Sequence, residues 1–149
     1  MKKLLFILCL GSSVVFTSCK KDDDPTKKEM LVGKNWVMTA LTIDPAIPVV
    51  GSNIFNQRKA CVNDDITIFA ADGKATFDEG ASKCEASFPQ TTTGSWALNP
   101  TETILSITRS TVSTISLTFK TLTSSKIVGT YQLVDSGVTY TYEVTFEAK

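Results

Sequence analysis

Four acidic residues form two doublets in this chain, Asp64-Asp65 and Asp78-Glu79. Carboxylate oxygens in such numbers are the donors that hold calcium. The alternating runs beside them put Asp65 opposite Asp78, where like charges repel across a strand pair. Calcium would relieve that repulsion, and so would Arg58, Lys59 or Lys83, which are close in sequence. No EF-hand spacing is present, and solvated charges on a rim are the expectation. Catalytic chemistry is sparse elsewhere. The chain has no histidine, which removes the commonest general base and metal ligand. Serines and threonines abound without a triad partner or a Ser–Lys motif. The eight glycines are scattered at turns rather than gathered into a phosphate loop. Zinc and iron sites are not expected without histidine. The expectation is a protein that is not an enzyme and carries no cofactor or metal.

The cysteines divide by position. Cys9 lies in the apolar run from Leu4 to Phe16, which follows Lys2 and Lys3. That run is about 13 residues long, whereas a spanning helix needs roughly 20. A basic start, a short apolar core and small residues before a cut describe a signal peptide over 1–18. Phe16-Thr17-Ser18-Cys19 resembles the cleavage site of bacterial lipoproteins, with Phe16 where Leu, Val or Ile is usual. Cys19 is then the acylated residue, and 19–25 is a charged tether that fixes a domain over 26–149 to a membrane. Cys61 and Cys84 remain as an even pair in a chain bound for an oxidising compartment, so a disulfide is expected. Chain entropy assigns such a bridge roughly 3 kcal/mol. The whole chain carries 15 basic and 15 acidic residues. Removing Lys2 and Lys3 leaves a slight acidic excess, which offers nothing to nucleic acid.

Those groups must be positioned by strands. Thr26-Lys27-Lys28-Glu29 fits a capping box, and Gly33 can end the turn. This predicts one short helix over 26–32. Thereafter Thr, Val, Ile, Tyr and Phe alternate between turn signals. Strands are expected near 35–43, 62–69, 74–79, 93–98, 103–108, 112–122, 126–134 and 138–147. Registers follow from requiring apolar faces to meet. Leu133 faces Tyr140, Tyr131 faces Tyr142, Ile127 faces Phe146, and Leu117 faces Tyr131. Phe119 covers Gly129, Trp96 faces Leu105, Ile66 faces Phe77 and Ile68 faces Ala75. The expected fold is all-β, an eight-stranded antiparallel up-and-down barrel, since closure removes both sheet edges. An open two-sheet sandwich is the runner-up.

Strand parity then assigns the ends. The long connections 44–61 and 80–92 fall at the top, while the helix, the tether and the C-terminus fall at the bottom. Cys61 and Cys84 lie at the upper end of one hairpin, where a bridge would staple the rim. Trp96, Phe119, Tyr131, Tyr140 and Tyr142 face inward. They either fill the barrel or line a cavity with tyrosine hydroxyls as anchors. The upper loop containing Ile47, Val49, Val50, Ile54 and Phe55 is apolar enough to be a lid or a contact surface.

Leu31-Val32-Gly33-Lys34-Asn35-Trp36, Asp64-Asp65-Ile66-Thr67-Ile68-Phe69-Ala70-Ala71-Asp72-Gly73 and Gly94-Ser95-Trp96 resemble the small lipocalin-like domains of Bacteroidetes-type lipoproteins. The placement of Cys61 and Cys84 is similar too, and the resemblance spans about 28–147. It implies that Trp36 plugs the barrel floor and that a small hydrophobic or amphipathic ligand is bound. The spacing Gly33-x-x-Trp36 is one residue longer than the family's, and the partner arginine on the last strand and the C-terminal helix are missing. Cys19-Lys20-Lys21-Asp22-Asp23 resembles the export signal of such bacteria, which implies an outer-membrane lipoprotein on the cell surface. The alternative is a filled barrel whose rim loops bind a protein or glycan.

Overall fold

A computed structural model describes residues 24–109 and 114–149. The signal segment and Cys19 lie outside the described residues, as do positions 112 and 113 of the expected sixth strand. The chain forms α1 (Lys27–Leu31), β1 (Trp36–Ile47), β2 (Gly51–Asn53), β3 (Ile66–Phe69), β4 (Lys74–Asp78), β5 (Thr91–Leu98), β6 (Ile104–Arg109), β7 (Ile115–Leu122), β8 (Lys126–Asp135) and β9 (Val138–Ala148). Two single 3-10 turns, Phe55–Gln57 and Ala60–Val62, occupy the connection before β3. Each strand pairs antiparallel with its successor from β3 to β9, and β1 pairs with both β3 and β9. The β1–β9 ladder runs from Trp36 opposite Ala148 to Asp44 opposite Thr141. Eight strands therefore close an up-and-down barrel. The ninth, β2, folds back on the upper end of β1 and stays outside the ring.

The helix forms where the capping box places it. The Thr26 hydroxyl accepts from Glu29 N at 3.2 Å, and the Glu29 carboxylate accepts from Thr26 N at 2.7 Å. Gly33 then takes a left-handed φ of +71° and donates its N–H to Phe69 O at 3.0 Å. This turns the chain under the barrel and into β1. Leu31 and Trp36 are fully buried there, with Leu105 and Ile127 above them. Lys27 Nζ donates to Glu102 O at 2.7 Å, and Lys149 N donates to Asn35 O at 3.0 Å. The helix, the lower turns and the C-terminus thus share one end, as parity requires.

Two registers differ from the expected ones, for turn-geometry reasons. In the β3–β4 hairpin, Thr67 faces Phe77 and Phe69 faces Ala75, one residue away from the anticipated pairs. Ala70 N donates to Lys74 O, and Gly73 adopts a φ of +87°, so the turn holds three residues rather than two. A one-residue slip exchanges the faces. Phe69, Ala75 and Phe77 are buried, whereas Ile66 and Ile68 are only half-buried. Asp65 consequently turns inward, and Ile66, not Asp65, faces Asp78. In the β5–β6 hairpin, Trp96 faces Ile107 and Leu98 faces Leu105, a shift of two that preserves the face. Asn99 causes it: its Oδ1 accepts from both Thr103 N and Ile104 N, at 2.7 and 2.9 Å, and so enlarges the turn. The β8–β9 pairs and Phe119 opposite Gly129 form as expected.

Candidate functional site

The lower barrel is packed solid. Trp36 is fully buried, and its Nε1 donates to Leu31 O at 2.9 Å. Trp96 Nε1 donates to Ala70 O at 2.9 Å, and its ring lies 5.4 Å from that of Phe69. Both tryptophans therefore close the floor. Between Trp36, Phe69, Leu105, Leu117 and Ile127 only about 20 Å³ remains, little more than the space of one water.

Above this floor the barrel opens into a cavity of about 260 Å³. Met38, Thr67, Phe77, Ile107, Ile115 and Phe146 supply most of its wall, and Arg58, Asp65 and Arg109 bring charge to it. Strand geometry explains the set. Leu105, Ile107 and Arg109 occupy alternate positions of β6, so an inward face ends in an arginine at the top. Asp65 continues the inward face of Thr67 and Phe69 just before β3 begins. Arg58 arrives from the connection above. Its Nη2 donates to Val62 O at 2.8 Å, its Nη1 to Met38 Sδ at 3.0 Å, and its guanidinium lies over the Phe55 ring at 5.5 Å. The Arg109 guanidinium sits 4.0 Å from the Phe77 ring centre. That is cation–π distance.

Charge inside the barrel shifts its own titration. Burial, and then the Glu79 carboxylate, hold Asp65 above the usual carboxylate range, against the pull of Arg58 and Arg109. Burial lowers Arg109, while Asp65 and Glu79 oppose that shift. Asp65 Oδ1 is buried without a hydrogen-bond partner. The folded protein thus holds the Asp65 proton more tightly than the unfolded chain does. Ionisation weakens the fold above the raised pKa. The penalty fades as pH falls through that value and is gone below the unfolded value near about 3.9. Asp65→Asn is expected to raise the Tm at pH 7, with the gain vanishing toward pH 4. Paired thermal melts across that range check it, and an unchanged or reversed difference would contradict it.

The remaining acidic residues organise the rim. Asp64 Oδ2 accepts from Ala81 N and Ser82 N at 2.8 and 2.9 Å. Asp78 Oδ1 accepts from Gly80 N at 2.9 Å and Gln90 Nε2 at 2.8 Å. These carboxylates fold the 79–90 connection down onto β3 and β4. The Cys61–Cys84 disulfide, with Cα atoms 5.2 Å apart, joins that connection to the segment carrying Arg58.

The residues expected to contact a ligand are not among those that form the wall of this cavity. Trp96 belongs to the floor. Phe119 is half-buried over Gly129. Tyr131 and Tyr142 stack with ring centres 4.9 Å apart and planes within 6°. Burial, and then Tyr142, raise the Tyr131 pKa, and Arg58 opposes this. Tyr140 is half-buried opposite Leu133. The apolar loop forms a hairpin that runs outward from β1. Ile47 ends β1, and Val49 and Val50 form the exposed tip of the β1–β2 hairpin. Ile54 N donates to Leu41 O, and Phe55 reaches the cavity through Arg58. Sequence reasoning missed Arg58, Asp65 and Arg109 as cavity residues. The inward parity of Leu105, Ile107 and Arg109 was the available signal.

No protein-family model matches the chain, and no curated protein matches it. Among solved structures, a deswapped triple mutant of bovine odorant-binding protein aligns at 14% identity, covering 79% of this chain and 73% of that one, with a TM-score of 0.43. Bovine odorant-binding protein in complex with a selenium-containing odorant aligns at 9% identity, covering 87% and 77%, with a TM-score of 0.45. Likenesses this remote say nothing about what this chain binds.

Proposed function

We propose that this chain is a non-catalytic binding protein that holds a small amphipathic ligand in the upper half of its barrel. The cavity carries this reading. It is walled mostly by apolar side chains, closed below by two tryptophans, and furnished with a few polar groups, the usual make-up of a small-molecule site. The N-terminal sequence supports a lipid anchor on Cys19 in the outer membrane, displayed on the cell surface. The tether would then enter at the closed end, leaving the mouth directed away from the membrane.

Calorimetric titration of the purified protein with 1-heptanol tests the ligand reading. Saturable binding to the native protein, lost in Ile115→Trp, is the expected result. Undiminished binding by the filled variant would place the site elsewhere. A second reading, an interaction module acting through its rim, draws on one observation. Val49 and Val50 at one hairpin tip, and Leu133, Val134 and Val138 at the β8–β9 tip, are exposed.

A further inference from the structure

We infer that the cavity selects a ligand whose head is neutral and carries both a hydrogen-bond donor and an acceptor, as an amide or a urea does. This rests on the proposed ligand site and names the chemistry of its occupant. Asp65 Oδ1 is buried and unpaired. An acceptor left so is costly, and a ligand bringing an N–H or O–H to it recovers a charge-assisted bond. Arg58 gives one N–H from each terminal nitrogen to Val62 O and Met38 Sδ, which fixes its place at the mouth. Arg109 is placed differently. Its guanidinium lies over the Phe77 ring on the cavity wall, and its N–H groups are donors for an acceptor on the same ligand head. Among the described residues the ion pair in contact is Lys120 with Glu143, so neither arginine is tied to a carboxylate.

Charge balance then decides the class of head. Arg58, Arg109 and Asp65 stand on the cavity wall, and Glu79, outside that wall, adds the field of a second carboxylate at Asp65 and Arg109. An anionic head drawn to Arg109 also meets Asp65 and feels the field of Glu79. A cationic head drawn to Asp65 also meets Arg58 and Arg109. In a half-desolvated site each of these repulsions is felt. A neutral head with a donor and an acceptor satisfies Asp65 and Arg109 together and incurs neither repulsion. The apolar wall of Met38, Phe77, Ile107, Ile115 and Phe146 takes the rest of the molecule.

The test uses three probes of one length, heptanamide, heptanoate and heptylamine, titrated calorimetrically into the purified protein at pH 7. Heptanamide is expected to bind about tenfold more tightly than either charged probe. Asp65→Ala removes the carboxylate and leaves Arg58 and Arg109 on the cavity wall, so it is expected to erase the margin over heptanoate while keeping the margin over heptylamine. If Asp65→Ala does not fold, Arg109→Met, on the more exposed partner, is expected to erase the margin over heptylamine instead and keep that over heptanoate. Equal binding of all three probes, or a preference for heptanoate or heptylamine, overturns the head assignment and leaves cavity binding intact. No binding of these probes and none of 1-heptanol overturns both.

Discussion

Trp36→Ala is expected to lower the unfolding free energy by about 3–5 kcal/mol, the range for removing a large buried aromatic side chain. The side chain is fully buried at the base of the barrel, and its Nε1 donates to the Leu31 carbonyl at 2.9 Å. Removing it does two things. It opens a void beside Leu105, Leu117 and Ile127, where only about 20 Å³ is now free. It also leaves the Leu31 carbonyl unpaired in an apolar place, which adds to the cost. Total stabilities of single domains run to about 5–15 kcal/mol, so this is a large share of the whole. Trp36→Phe separates the two contributions. It keeps most of the volume and loses the hydrogen bond, and should cost about 1–3 kcal/mol. Urea unfolding of the three proteins measures both. A loss below about 1 kcal/mol for Trp36→Ala would mean that the helix and Trp36 do not form the floor.

Replacing both Cys61 and Cys84 by serine is the second large effect. The bridge closes a loop with a sequence separation of 23. Chain entropy then assigns it about 3 kcal/mol. The expected result is a fall of that size in denaturant stability with the barrel still formed. Contacts independent of the bridge hold the same segments together, including Ala81 N and Ser82 N on Asp64. The functional effect follows from Arg58. It is anchored on Val62, the residue after Cys61, so freeing this segment loosens one side of the cavity mouth. Weaker ligand binding should accompany the loss of stability. Full stability after reduction would show that the carboxylate contacts suffice alone.

Much of the architecture was legible because period-two alternation and short turns constrain one another. Val138 to Phe146 alternates cleanly, and its pairing with β8 forms at every expected position. The capping box and the cysteine pair carry their geometry in their spacing. What escaped was decided by single turns. Whether Ala70 to Gly73 turns on two residues or three depends on the backbone of Gly73, which alternation does not report. That one residue exchanged the faces of β3 and turned Asp65 into the barrel. Asn99 likewise enlarged its turn through side-chain bonds invisible in a hydrophobicity pattern. The ligand site was read from aromatic residues because aromatics usually line pockets. Here they pack the floor and the β8–β9 side. The cavity wall draws on β1, β3, β4, β6, β7 and β9, and it includes Asp65, expected as solvated rim charge, and Arg58, expected as a counter-charge to it.

The central claim is that a ligand occupies the barrel above the two tryptophans. Nuclear magnetic resonance mapping of 1-heptanol on the isotopically labelled protein addresses it most directly. Saturating shifts are predicted to converge on Met38, Asp65, Thr67, Phe77, Ile107, Arg109 and Phe146, with Val49 and Val134 unmoved. Shifts confined to the hairpin tips at Val49, Val50, Val134 and Val138, or absent altogether, would contradict it.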